Sequence, residues 1–126
     1  MRRIITLALA VTALFAAVPA TSSALMHAGP GEHWKNCGYV LGHHVGVIQP
    51  GTSCALGRNA ARVALTMRHP SSYPGDLNYG PAFRLRAYSS VTHEHYRLRA
   101  SSSYNYGELA IWGSARSHIG ISVWLG

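Results

Sequence analysis

The first 24 residues limit what this chain can fold into, because they have the layout of a segment that is removed on export. Arg2 and Arg3 supply a positive start, residues 4–18 are almost wholly apolar, and small residues lead up to Ala24. The apolar run has about 15 residues, fewer than the about 20 that a membrane-spanning helix needs, and no later run of that length follows. We predict a cleaved signal peptide over 1–24 and a secreted, extracellular protein; an uncleaved anchor is the alternative.

Removal of the signal peptide leaves 102 of the 126 residues, a length that suits one domain over 25–126 and is too short for two cores. The start of this domain is rich in glycine and shows no lasting periodicity, so we expect residues 25–36 to be a flexible lead. Without Arg2 and Arg3, the eleven basic residues become nine against four acids, a net charge of about +5. Such a charge favours an anionic partner, although it also serves solubility alone.

Cys37 and Cys54 are the only cysteines of the chain. In an oxidising compartment, two lone thiols of a small domain are expected to pair, and two free thiols are the alternative. We predict a structural disulfide that contributes roughly 3 kcal/mol to stability. Neither a Cys-x-x-Cys redox motif nor a four-ligand zinc spacing is present, which excludes those two cysteine chemistries.

A turn signal at Pro50-Gly51 precedes the clearest helix of the sequence. Thr52 or Ser53 offers a side-chain oxygen as N-cap, the helix begins at Cys54, and His69-Pro70 ends it. One side of this helix is apolar, at Leu56, Ala60, Val63, Ala64 and Met67, and the other side is polar, at Arg58, Asn59, Arg62 and Thr66.

After the helix, two runs alternate between apolar and polar residues, which predicts half-buried strands joined by a hairpin over 89–94. Their inward residues are Phe83, Leu85 and Ala87 in the first run and Tyr96, Leu98 and Ala100 in the second. Further strands are expected near 104–112 and 119–125, and an earlier one at 38–40 or 45–48. We therefore predict an α+β fold in which one main helix packs on a small antiparallel sheet, with one disulfide.

Four short motifs follow one another along this part of the chain: Asn36-Cys37-Gly38, Thr52-Ser53-Cys54, Ala87-Tyr88-Ser89-Ser90-Val91-Thr92 and Tyr96-Arg97-Leu98-Arg99-Ala100. In order and spacing they resemble a group of small secreted proteins from high-GC Gram-positive (actinobacterial) bacteria. The resemblance implies that group's fold and a secreted location. It implies no activity, because the group has none established, and it makes Tyr88, Thr92 and Tyr96 structural positions.

The chain departs from the group's pattern at three positions. Ser90 stands in place of a proline, His93 in place of a turn glycine, and Ala100 in place of a third cysteine, with no fourth cysteine near 111–113. One disulfide of the group is therefore absent here.

The outward positions of the two predicted strands hold four arginines, Arg84, Arg86, Arg97 and Arg99. If the strands pair, the four guanidinium groups form one patch suited to phosphate or carboxylate, with Tyr88 and His95 beside it. We predict an anion-binding site whose partner is an anionic envelope polymer or lipid head groups; nucleic acid also fits, although no motif specifies it. The alternative is that the arginines bind nothing and are simply the polar residues that alternate positions of a half-buried strand expose to water.

The eight histidines raise the question of a metal site. His93 and His95 are spaced to lie on one face of a strand as ligands of zinc or copper, and His43 and His44 offer a third ligand. Neither spacing is a recognised zinc pattern. We prefer the interpretation that these are exposed polar residues and that the protein has no metal or other cofactor.

The small number of acidic residues limits the classes of enzyme to which this protein could belong. Four acidic residues lie far apart in the sequence, so no pair indicates a two-carboxylate glycosidase, and no Gly-x-Ser-x-Gly motif occurs. A secreted ribonuclease-like phosphodiesterase remains as the alternative, with Glu94 and His118 as base and acid and with Arg97 and Arg99 on the phosphate. We prefer a non-enzymatic structural or binding module that contacts an anionic partner in the envelope or outside the cell.

Overall fold

The computed structural model describes Ser23 and residues 26–67, 82–103 and 107–125. These residues contain one helix and six strands: β1 (His33–Val40), β2 (His43–Gln49), α1 (Cys54–Thr66), β3 (Phe83–Ser89), β4 (Glu94–Ser103), β5 (Glu108–Trp112) and β6 (Gly120–Trp124). All neighbouring strands are antiparallel, in the order β1-β2-β6-β5-β4-β3. The predicted combination of one helix, an antiparallel sheet and one disulfide is confirmed, but the sheet is larger than predicted and dominates the fold. Within the described ranges, no helix has the length and apolar character to cross a membrane.

α1 begins at the residue that the sequence predicts. The Ser53 side chain caps it by accepting a hydrogen bond at 3.1 Å from the backbone N–H three residues on. The helix ends at Thr66, and the predicted stop at His69-Pro70 lies outside the described residues. Its buried face is made mostly of small residues, and a Cβ on Gly57 would lie 2.3 Å from Cγ1 of Val47. A larger side chain at this position would therefore push the helix away from β2.

Both edge strands of the sheet, β1 and β3, pack against α1. Arg58 donates from Nη1 to the carbonyl oxygen of Cys37 in β1 at 3.3 Å. Asn59 donates from Nδ2 to the carbonyl oxygen of Tyr88 in β3 at 2.8 Å. Because the first and the last strand contact one helix, the sheet curves around that helix. Helix side chains bound to an edge also hinder its pairing with another chain.

The predicted disulfide is present and joins Cys37 of β1 to Cys54, the first residue of α1. The two cysteines are 17 residues apart in the sequence. Closing a loop of this length lowers the entropy of the unfolded chain and stabilises the fold by about 3 kcal/mol. The bond therefore fixes the beginning of the helix on one edge of the sheet.

The alternating pattern of β3 and β4 is confirmed. Of the predicted inward residues, Leu85, Ala87, Leu98 and Ala100 are buried and Phe83 and Tyr96 are half-buried, while the residues that alternate with them are exposed. The buried residues join a core that also holds the inward side chains of the helix and of the other strands: Val45, Val47, Leu56, Ala60, Ala64, Leu109, Ile111, Ile121 and Val123. One face of the sheet and one side of α1 thus form the hydrophobic core.

The first and the later strands differ from the prediction in their bounds. Both early candidates form strands, and β1 begins at His33, so residues 33–36 lie in a strand and not in a flexible lead. A backbone bond from Glu32 to Gly29 at 3.0 Å closes the turn before it. β5 begins only at Glu108, and residues 104–106 of that predicted strand lie outside the described residues.

The face of the sheet opposite α1 buries one carboxylate. Glu108 is fully buried, and its Oε2 accepts hydrogen bonds from the hydroxyls of Ser122, at 3.0 Å, and Ser23. Ser23 precedes the predicted cleavage point after Ala24, so this one described residue of the predicted signal peptide contacts the sheet here. Glu108 and Ser122 are therefore buried on this face, whereas the arginines of β3 and β4 on the same face are exposed.

We expect the double substitution Cys37→Ala and Cys54→Ala to lower the free energy of unfolding by about 3 kcal/mol, because the unfolded chain regains its loop entropy. Urea unfolding followed by circular dichroism measures the change. Wild-type protein unfolded in the presence of a reductant is the matched control and should show the same loss. A loss below about 1 kcal/mol in both would contradict the role assigned to this bond.

Candidate anion-binding face

Four arginines of the β3–β4 hairpin form two directly opposed pairs. The antiparallel register places Arg84 opposite Arg99 and Arg86 opposite Arg97, and all four side chains are exposed. Side chains at opposed positions of two strands point to the same face, here the face away from the core. We call these four residues the arginine ladder. The structure brings them together, while their binding to an anion stays a prediction.

The ladder has a fixed spacing. The two pairs are two residues apart along each strand, which corresponds to about 7 Å. The next pair in the same direction joins Tyr88 to His95, whose ring centroids are 5.1 Å apart. The exposed face of the hairpin therefore presents two rows of guanidinium groups followed by an aromatic row.

Among the described residues, no carboxylate pairs with the ladder. The ion pair that the structure contains in these ranges joins His118 to Glu32 at 3.8 Å, and neither residue belongs to the hairpin. Like charges directly opposite each other destabilise a pair of strands, and here two such pairs are adjacent. Each guanidinium is thus free to bind an anion with two parallel N–H donors. An anion shared between opposed arginines would also relieve their repulsion.

A groove of about 250 Å³ lies beside the ladder. Arg84, Arg97 and Arg99 border it on one side, and Trp112 and Gly113 line it on the other. Trp112 is directly opposite Arg99 in the β4–β5 pairing, so its ring lies on the same face as the ladder. Sequence reasoning missed this tryptophan, because only the register between β4 and β5 reveals that it neighbours the arginines.

The expectation that His93 and His95 share one face of a strand is wrong. β4 begins at Glu94, and His93 lies in the preceding turn with a φ of 59°. Both imidazoles nevertheless contact Tyr88: its hydroxyl is 3.1 Å from Nδ1 of His93, and its ring is the one that packs on His95. The turn residue stands out of the strand because a positive φ there reverses the chain.

The other histidines do not join this pair. His43 and His44 lie in β2, and β6 and β5 separate that strand from β4. Across the described ranges, no three side chains of His, Cys, Asp or Glu come together in a way that could hold a metal ion. A third ligand for His93 and His95 from β2 is therefore not supplied by this fold.

The acid and base of the alternative enzyme interpretation lie on different loops. Glu94 is opposite Ser89 at the turn of the β3–β4 hairpin. His118 lies in the β5–β6 loop with a φ of 52°, beside Glu32. Within the described parts of the chain, no hydrogen bond or ion pair joins Glu94 to His118. The fold does not bring these two side chains together as a catalytic pair.

Comparison with known proteins assigns no family. The chain matches no protein-family model, no curated protein and no solved structure. The resemblance to secreted actinobacterial proteins stays a prediction.

We expect the substitution Arg86→Glu to raise the free energy of unfolding at low salt by about 0.5 to 1 kcal/mol, because it replaces a repulsive pair with Arg97 by an attractive one. The gain should vanish near about 1 M salt, where the screening length is only about 3 Å. Urea unfolding at the two salt concentrations measures both effects. Arg116→Glu, an equal charge change at an exposed loop residue, is the control and should change stability less. A loss of stability at low salt would contradict this account of the ladder.

Proposed function

We propose that this protein is a secreted, non-enzymatic binding domain that holds a linear, phosphate-bearing polymer on its arginine ladder. The observation that carries the proposal is the arginine ladder itself. Its four exposed arginines lie directly opposite each other in two pairs, and among the described residues no carboxylate pairs with them. The disulfide, and the signal peptide that the sequence predicts, favour a place outside the cytoplasm.

The shape of the ladder favours a polymer over a single small anion. The guanidinium rows repeat at about 7 Å along the strands, which allows successive phosphates of an extended chain to be bound in turn. The ladder is borne by two paired strands, so little backbone ordering is needed on binding. A chain of phosphates also carries a negative charge at each repeat, which is complementary to two adjacent pairs of positively charged arginines.

The alternative of phosphodiester hydrolysis has less support. Its predicted acid and base, Glu94 and His118, do not contact each other, and neither lines the groove beside the ladder. The binding experiment below nevertheless follows the length of the polymer, so that hydrolysis would be detected.

The test uses the purified, disulfide-bonded protein and poly(glycerol phosphate), a phosphodiester polymer without rings. We expect salt-sensitive binding that weakens about fivefold, or roughly 1 kcal/mol, in Arg84→Ala and in Arg97→Ala. The slope of log K against log salt should become shallower by about 0.7 for each phosphate contact that is lost. Isothermal titration calorimetry over a salt series measures both quantities.

The matched control is Arg62→Ala, because Arg62 is an exposed arginine of α1, on the opposite side of the sheet from the ladder. Its affinity should equal that of the wild type. An equal loss in this variant would show that net charge alone drives binding and would overturn the proposal. Binding to anionic lipid vesicles without binding to the polymer would overturn it too, and shortening of the polymer would replace it by the phosphodiesterase alternative.

A further inference from the structure

The groove beside the ladder offers more than charge. Arg84, Arg97 and Arg99 border it, while Trp112 supplies carbon surface. A phosphate group alone would use the arginines and leave the indole in contact with water. A ligand that uses the whole groove carries a flat, apolar group next to a phosphate.

A second aromatic side chain lies at the other end of the ladder. Tyr88, in the pair with His95, is 36% exposed and follows the Arg86–Arg97 pair on the same face. From the level of Arg84 to that of Tyr88 the strand rises by about 13 Å. The face therefore has one aromatic ring beside Arg99, at the level of the Arg84–Arg99 pair, and another beyond the Arg86–Arg97 pair.

We infer that the polymer held by the arginine ladder is a single-stranded nucleic acid, with one base stacked on Trp112 in the groove and its phosphates on the arginines. A basic surface interleaved with exposed aromatic rings is how proteins bind single strands without reading their sequence. A double helix fits less well, because its bases are already stacked and paired and cannot enter the groove. This inference rests on the proposed function, since the same arginines bind the phosphates in both.

Three probes with equal numbers of phosphates separate the two proposals: an oligothymidylate, an abasic oligonucleotide with the same backbone, and poly(glycerol phosphate). We expect the oligothymidylate to bind about tenfold more tightly than the abasic strand, because only the former has a base to stack. The abasic strand and poly(glycerol phosphate) should bind with similar affinity. Calorimetry at one salt concentration, with tryptophan fluorescence recorded in parallel, gives these affinities.

The substitution Trp112→Leu should remove the preference for bases and leave the affinity for the abasic strand unchanged. Trp34→Leu is the matched control, because Trp34 is a half-buried tryptophan of β1, at the opposite edge of the sheet. It should keep the full preference. Should Trp112→Leu fail to fold, Trp112→Phe is the second variant, because it keeps a smaller ring at this position. Its preference for oligothymidylate over the abasic strand should be weaker than that of the wild type but still present.

The outcomes are distinct. Equal affinity for oligothymidylate and abasic strand, or a preference that survives in Trp112→Leu, overturns the inference and leaves the ladder as a binder of phosphate chains. Absence of binding to all three probes overturns the proposed function and the inference together. Loss of the preference in Trp34→Leu as well as in Trp112→Leu also overturns the inference, because the preference for bases would then not depend on the groove.

Discussion

The antiparallel register of β3 and β4 is held by the side chains that the two strands bury. Leu85 lies opposite Leu98, and Ala87 lies opposite Tyr96, on the face that packs toward α1. A slip of one residue would turn these side chains to water and drive charged guanidinium groups into the core, which is far too unfavourable for a small domain. The hydrophobic pattern that builds the core therefore also sets the arginines opposite each other on the outer face.

α1 gives this hairpin a fixed place in the molecule. It contacts the edge strand β3 through the bond from Asn59 to the carbonyl of Tyr88, and it is tied to the other edge by the disulfide between Cys37 and Cys54. The destabilising effect of two opposed arginine pairs is a few tenths to one kcal/mol each, about a third or less of the roughly 3 kcal/mol from the disulfide. The fold can thus hold four neighbouring positive charges on one face and remain stable.

The sequence predicts the hairpin well and the groove poorly, for physical reasons. A strand with one solvent-exposed face alternates between apolar and polar residues, so the sequence predicts that Arg84 and Arg97 point outward. β5 is buried on both faces apart from its last residue, Trp112, and shows no such alternation. Its place beside β4 follows from strand order, which periodicity does not encode. The sequence also does not indicate that His93 lies in the turn, because a positive φ is usually marked by a glycine and this position holds a histidine.

The central claim is that the arginine ladder, and not the net charge of the protein, binds the phosphate chain. It is tested most directly by observing the arginine Nε–H resonances by NMR while poly(glycerol phosphate) is added to the isotopically labelled protein. The account predicts that the signals of Arg84, Arg86, Arg97 and Arg99 shift together and that those of Arg58 and Arg62 on α1 stay in place. Shifts of similar size on α1, or an unmoved ladder in a protein that binds the polymer, would contradict it.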